Sequence, residues 1–293
     1  MNLPNFMCIG AAKSGTTSLY DILKQHSQVF IPSFKEPHFF DIPNVYKNGL
    51  SWYSNVYFND VKSEKCIGDF SPTYLFEGKA AKRILNDLGN KVKFIVILRN
   101  PVDRAYSHYL HSKRDEHETL SFQEALSNEK NRINQLDYLS RLRFSYVEQG
   151  LYYKLLKQYF DFFSKENFLI INFESDFLKN RVETIDKIYE FLEIDNEDIE
   201  VFLKSNQASE AKYIWLKQFM KKTGWWRKTI KKMIPSLKTR QILKNKIQRF
   251  NLRQYTPPVL DSSEKAFIYK KYFQDDVYKL ENLLKKKMNW DII

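Results

Sequence analysis

The chain has 293 residues, with 47 Lys and Arg against 35 Asp and Glu and a formal net charge of +12 at pH 7; this length buries a full core and fits an α/β domain carrying an appendage. Its two cysteines, Cys8 and Cys66, sit in apolar runs as ordinary buried thiols, which excludes a disulfide framework or a zinc site. The first apolar run starts within a few residues of Met1, leaving no room for a signal peptide, and runs such as Phe94 to Leu98 are too short to span a bilayer, so a soluble cytoplasmic protein is expected.

Phe6 to Ile9 reads as a strand, and Gly10-Ala11-Ala12-Lys13-Ser14-Gly15-Thr16-Thr17-Ser18 follows as a small-residue loop opening a helix to about His26. Gly10 and Gly15 permit backbone angles that larger residues resist, and Thr16, Thr17 and Ser18 are placed to cap the helix. A helix N-terminus offers free N–H groups and a positive dipole end, and Lys13 adds a full charge beside it, so the loop predicts a phosphate or sulfate site. A capped helix start without a ligand is the plainer reading of the loop alone. The lysine precedes the second glycine, so the Gly-Lys-Ser/Thr order of a nucleotide triphosphatase loop is absent.

Val29 to Ile31 is a short strand candidate, and Lys35-Glu36-Pro37-His38-Phe39-Phe40-Asp41 is a shaped loop, because Pro37 turns Glu36 away from helical angles. Residues 49 to 58, with Trp52, Tyr53 and Phe58, predict a short aromatic helix. Cys66 to Phe70 is a strand that leads through Ser71-Pro72-Thr73-Tyr74 to a helix over about Gly78 to Leu88. Val92 to Leu98 is the most apolar run, as in a strand buried on both faces of a parallel sheet. Arg99 closes it, Pro101 suits the first turn of the next helix, and Ser107 falls two turns in. The carboxyl edge of an open α/β sheet is where ligands bind, which makes Arg99 a candidate contact.

The polar stretch from Lys113 to Gln149 is helical in part and supports no sharper assignment. His108 and His111 with His117 lack a carboxylate–histidine motif, and no metal is expected. Gly150 to Phe163 has helical periodicity, Phe168 to Phe173 is a buried strand, Val182 to Leu192 is helical, and an acidic turn covers Glu193 to Glu200. Residues 211–260 hold 14 Lys and Arg and no acidic residue, so the basicity belongs to this segment. Within it Trp226, Ile230, Met233 and Leu237 recur at helical spacing among Arg227, Lys228, Lys231 and Lys232. That pattern fits a packed helix with a solvated face, a platform for an anionic or glycan acceptor, or a membrane-surface helix over residues 212–250. A helix from Ser262 to about Lys287 closes the chain. Alternating strands and helices predict a single domain over residues 1–293, an α/β three-layer sandwich with a central parallel sheet plus the basic helical C-terminal segment.

Lys13 to Ser18, then Lys35 to Asp41, then Leu98-Arg99-Asn100-Pro101 with a serine eight residues past the arginine resemble, in that order, the sulfotransferases of the heparan-modifying and bacterial kind. The resemblance covers most of residues 4 to 195 and, more faintly, Arg253 to the end. It implies a P-loop-like fold and 3'-phosphoadenosine-5'-phosphosulfate (PAPS) as sulfuryl donor, with a hydroxyl of a carbohydrate or glycolipid as acceptor. Neither a metal nor a specific nucleic acid is implied.

On this resemblance Lys13 is the cation that stabilises charge building on the leaving nucleotide, and Ser14, Gly15, Thr16, Thr17 and Ser18 hold the 5'-phosphosulfate. Arg99 and Ser107 bind the 3'-phosphate, unless Arg99 pairs with Asp103 instead; Arg104 reads as a surface or ion-pair residue. Glu36 is the candidate general base and Asp69 its rival, with Lys35 and His38 as support or acceptor contacts. His38 as a ring packed against Phe39 and Phe40 stands beside that role. Arg253 is a weaker donor contact. A P-loop kinase and a non-catalytic nucleic-acid or membrane-binding protein using the basic segment are the alternative functions, and the inner membrane surface is a further expected location.

Overall fold

The computed structural model describes residues 1–134, 136–201, 209–213, 250, 252–254 and 258–290. Its contacts gather into two compact units: residues 1–109, 120–204 and 260–293 form the first, and residues 110–119 with 205–259 the second. The expected helix around Trp226 to Leu237 lies outside the described residues.

The first unit is built on five parallel strands, β1 (Phe6–Gly10), β2 (Val29–Phe30), β3 (Cys66–Phe70), β4 (Lys93–Leu98) and β5 (Phe168–Asn172), in the spatial order β2-β3-β1-β4-β5. Successive strands are joined through helices: α1 (Thr16–Leu23), α2 (Pro43–Tyr46), α3 (Gly49–Tyr57), α4 (Ala80–Leu88), α5 (Pro101–Arg114), α6 (Phe122–Ile133), α7 (Tyr138–Phe144) and α8 (Tyr152–Phe160). A π-helical turn over Phe173–Lys179 then leads into α9 (Arg181–Leu192). Two closing helices, α10 (Ser262–Ile268) and α11 (Gln274–Leu284), are separated by a π-helical turn, so the predicted single closing helix is broken at Tyr269–Phe273.

The apolar run predicted to be buried on both faces is so: Phe94 to Leu98 have no exposed surface. Alternation sends neighbouring residues to opposite faces. Ile95 and Ile97 join Leu19, Ile22, Leu23, Ile185, Ile188 and Leu192 in one cluster, beneath α1 and α9. Phe94 turns the other way, stacking on Phe168 with ring centroids 4.8 Å apart and meeting Tyr159 and Phe163 edge-on. Each such fully buried aromatic or branched side chain contributes about 1.5–3 kcal/mol, which holds the carboxyl ends of β1, β3 and β4 in fixed positions.

The polar stretch that the sequence leaves open forms α6 and α7, each started by its own cap. Ser121 and Glu124 make a reciprocal capping box at α6, and the Asp137 carboxylate accepts from the Leu139 and Ser140 N–H groups at α7. In the second unit, β6 (Ser209–Ala211) pairs antiparallel with β7 (Leu252–Gln254), placing Glu210 opposite Arg253 in register.

Candidate active site

The loop after β1 is held by a glycine that the chain has no substitute for. Gly15 is the residue before α1 and has φ +85°, and a Cβ there would lie 2.7 Å from the Phe173 ring. Ser18 and Leu19 donate their N–H groups to the Gly15 carbonyl, so the N–H groups of Gly15, Thr16 and Thr17 precede the first turn's bonds. The expected capping by Thr16, Thr17 or Ser18 is corrected here: the cap position belongs to Gly15, and no side chain caps the helix. The hydroxyls of Thr16 and Thr17 instead accept from the Lys35 ammonium, at 3.5 and 3.0 Å. Ser18 is buried, and the Ser14 side chain is fully buried with its Oγ lacking a hydrogen-bond partner among the described residues.

Lys35 therefore stands where the sequence placed only a supporting residue. Its Nζ also lies 3.0 Å from Glu36 Oε1, so one ammonium joins the anion-binding loop to the candidate base. Glu36 and His38 both have positive φ, 63° and 53°, and bracket Pro37, which presents their side chains on a common side; His38 Nε2 lies 3.7 Å from Glu36 Oε2. The reading of His38 as a ring packed on Phe39 and Phe40 is not what the structure shows. The two phenylalanines are fully buried, while His38 is half-buried and its Nδ1 lies 2.9 Å from Asp41 Oδ2. Burial pulls the His38 pKa down, but the bond to Asp41 and the charges of Asp41, Glu36 and Asp69 outweigh it and raise the value above the ordinary imidazole range. Asp41, Thr73 and Tyr138, which sequence reasoning did not single out, complete this side: Thr73 donates to Asp41 Oδ2 at 2.6 Å and Tyr138 at 3.1 Å.

Asp69, the rival base, ends β3 at the same edge but is sealed. It has no exposed surface, and its oxygens accept from Tyr53 at 2.5 Å, Ser71 at 2.7 Å and Tyr74 at 2.8 Å. Burial drives its pKa up to about 6 even though the three hydroxyls hold it down. An acceptor hydroxyl has no route to it, and the residue ties α3 to the turn after β3. Burial pushes the Cys8 thiol up to about 12, as expected of an inert thiol.

Arg99, at the end of β4, does not pair with Asp103, which holds Lys265 at 2.9 Å. Arg99 donates through Nη1 to the Lys13 carbonyl at 3.1 Å and lies 5.2 Å over the Phe173 ring; its buried Nε has no hydrogen-bond partner among the described residues. Phe173 thus touches both Gly15 and Arg99, a role with no sequence signal beyond its place after β5. Ser107 is half-buried two turns into α5. The surface placement allowed for Arg104 is corrected: it is fully buried, donates to the Tyr146 carbonyl and lies in the field of Glu129. Arg253 lies in β7 of the second unit, and its side chain lies outside the described residues. The residues brought together are thus Lys13, Ser14, Thr16, Thr17, Lys35, Glu36, His38 and Arg99, an anion-binding helix start with a carboxylate and a half-buried imidazole set across it.

A parallel α/β sheet with such a loop at its carboxyl edge is an arrangement suited to an anionic group. The family is fixed by comparison. The sulfotransferase domain model matches residues 3–255, and the chain belongs to that family. A solved sulfotransferase from Alicyclobacillus acidocaldarius superposes over 99% of both chains with a TM-score of 0.72 and 28% identity. Among curated relatives, the bifunctional heparan sulfate N-deacetylase/N-sulfotransferase 4 of Mus musculus is 27% identical over 97% of this chain and 30% of its own length. The membrane-associated sulfotransferase kil1 of Dictyostelium discoideum is 38% identical over 36% of this chain and 22% of its own. The heparan sulfate glucosamine 3-O-sulfotransferase 3B1 of Mus musculus is 30% identical over 59% of this chain and 42% of its own. The chain thus spans less than half the length of these curated relatives. Among the described residues, no helix is long and apolar enough to cross a membrane.

Proposed function

We propose that this sulfotransferase takes the sulfuryl group from PAPS and passes it to a hydroxyl of a carbohydrate or glycolipid, with Glu36 as general base. The observation that carries the reading is Lys35, whose ammonium lies 3.0 Å from both Thr17 Oγ1 and Glu36 Oε1 and so joins an anion site to a base across the distance of one small group. The residues present fit the donor. Ser14 Oγ and Arg99 Nε are buried polar atoms without hydrogen-bond partners among the described residues, one in the loop and one at the strand end beside it. When bound, PAPS supplies the sulfuryl group, whose bond to the 5'-phosphate oxygen breaks as the acceptor oxygen bonds to sulfur.

The N–H groups of Gly15 to Thr17 and the Ser14, Thr16 and Thr17 hydroxyls hold the 5'-phosphosulfate. Lys13 neutralises the charge that builds on the leaving oxygen, an interaction stronger in the transition state than before it. Lys35 orients the sulfuryl oxygens between loop and base. Glu36 receives the acceptor proton, and His38, fixed by Asp41, holds the far oxygen of that carboxylate. Arg99 and Ser107 bind the 3'-phosphate, the guanidinium as a charged fork. A carbohydrate acceptor is supported by the heparan sulfate enzymes among the relatives.

The test is calorimetry with 3'-phosphoadenosine-5'-phosphate (PAP), the product of such a transfer, against ATP and adenosine-5'-phosphosulfate. PAP is expected to bind at least tenfold more tightly than either, and Arg99→Ala to remove that preference. Tighter binding of ATP with magnesium would replace this reading with a kinase.

A further inference from the structure

The His38–Asp41 pair has a third member that comes from a different part of the chain. Asp41 is fully buried, and its Oδ2 accepts from His38 Nδ1, Thr73 Oγ1 and the Tyr138 hydroxyl, while Oδ1 has no hydrogen-bond partner among the described residues. Tyr138 is the first residue of α7, placed there by the Asp137 cap. That helix has no buried residue of its own, and its Leu139 is 53% exposed. Beside the site it meets the unit through Tyr138 on Asp41 and through the Arg141 guanidinium 5.8 Å over the ring of Phe76, three residues after Thr73; further along, Gln149 donates to the Leu142 carbonyl and Arg132 lies 4.1 Å over the Phe144 ring.

We infer that Tyr138 is a positioning residue of the transfer site: through Asp41 it sets the charge and orientation of His38. The inference rests on the assignment of Glu36 and His38 to the reaction, but its physical content does not need turnover. A buried carboxylate with three donors divides its charge among them. Withdrawing the phenolic donor concentrates that charge on the imidazole and threonine.

The groups that set the His38 titration are few. Glu36 and Asp41 face it from its own loop, Asp69 acts from β3, Thr73 touches its Nδ1, and Lys35 reaches it only through Glu36. Tyr138 is itself in the field of Asp41 and Glu77, which, after burial, keep its hydroxyl protonated as a donor.

The experiment is a titration of the His38 ring by long-range proton–nitrogen NMR in the enzyme without donor or acceptor. The His38 signal is identified among the five histidines by its loss in His38→Gln. In Tyr138→Phe, which keeps the ring and removes only the donor, the His38 midpoint is expected to rise by about half a pH unit, the scale of losing one hydrogen bond to a shared carboxylate. The same variant is expected to lose about tenfold in kcat with PAP affinity unchanged, as a change confined to the base side requires. An unmoved His38 midpoint overturns the inference whatever the rate does. A shifted midpoint in a protein that transfers no sulfuryl group would leave the inference standing and remove the reaction assigned above.

Discussion

Gly15→Ala is the substitution whose cost can be worked from the coordinates. Two charges on stability arise at one Cβ. The first is conformational: φ +85° lies in the left-handed region, where a residue with a Cβ loses about 1–2 kcal/mol. The second is steric: the new carbon would sit 2.7 Å from Phe173 Cε2, 3.1 Å from Cδ2 and 3.2 Å from Phe177 Cε1, and overpacking of that kind costs about 1–3 kcal/mol. The sum, about 2–5 kcal/mol, is a large part of the 5–15 kcal/mol of a typical domain. Urea unfolding followed by tryptophan fluorescence reads the stability, and PAP calorimetry reads the loop. Displacing Phe173 also disturbs Arg99, which lies over the same ring, so PAP affinity should fall with stability rather than survive it. The decisive comparison is a cycle with Phe173→Ala. In that background the Gly15→Ala cost should shrink toward the backbone share of about 1–2 kcal/mol, with only the 3.2 Å approach to Phe177 left to add to it. An equal cost in both backgrounds would refute the steric argument, and with it the view that Phe173 ties the loop to Arg99.

Two further outcomes separate the carboxylates at the sheet edge. Glu36→Gln should lower kcat by about 10²–10⁴ while PAP affinity in calorimetry stays within twofold, as removal of a general base does; if Asp69→Asn shows this pattern instead, Asp69 is the base. Asp69 also makes a stability prediction. Its folded-state pKa, about 6, lies above the unfolded carboxylate value, so the folded protein keeps a proton that the unfolded chain has released, and this residue's contribution to stability falls as pH rises from about 4 to about 6. Urea midpoints of Asp69→Asn over that range should therefore fall less steeply than those of the parent, and an unchanged slope would place the proton elsewhere.

Local patterns made the scaffold readable before any coordinates. The run Phe94–Leu98 announces a two-faced strand by composition alone, and the glycines, lysine and hydroxyls from Gly10 to Ser18 announce an anion site by their order. What escaped were contacts made across the fold. Lys35 to Thr17 spans 18 residues, Tyr138 to Asp41 spans 97, and Arg104 to the Tyr146 carbonyl spans 42. No period or motif marks such pairs. Arg104 misleads for a stated reason: arginine is ordinarily a surface residue, and the Tyr146 carbonyl and the Glu129 carboxylate, which make its burial tolerable, come from distant parts of the sequence. Threonines after a glycine read as caps, and the left-handed angle at Gly15 frees them to face Lys35 instead.

The sheet order has a consequence for how the site opens. Lys13 and Arg99, which we propose hold the donor, follow β1 and β4, interior strands bonded on both sides, whereas Lys35, Glu36 and His38 follow β2, an edge strand of two residues joined to β3 alone. Local opening starts at such edges and reaches the interior only with global unfolding. Amide hydrogens of Met7 to Ile9 and Phe94 to Ile97 should thus be the slowest in the protein to exchange, and those around residues 29 to 38 among the faster. The half of the proposed site that carries Lys13 and Arg99 is thus anchored in the most persistent part of the molecule, and the half that carries Lys35, Glu36 and His38 in a part that opens cheaply.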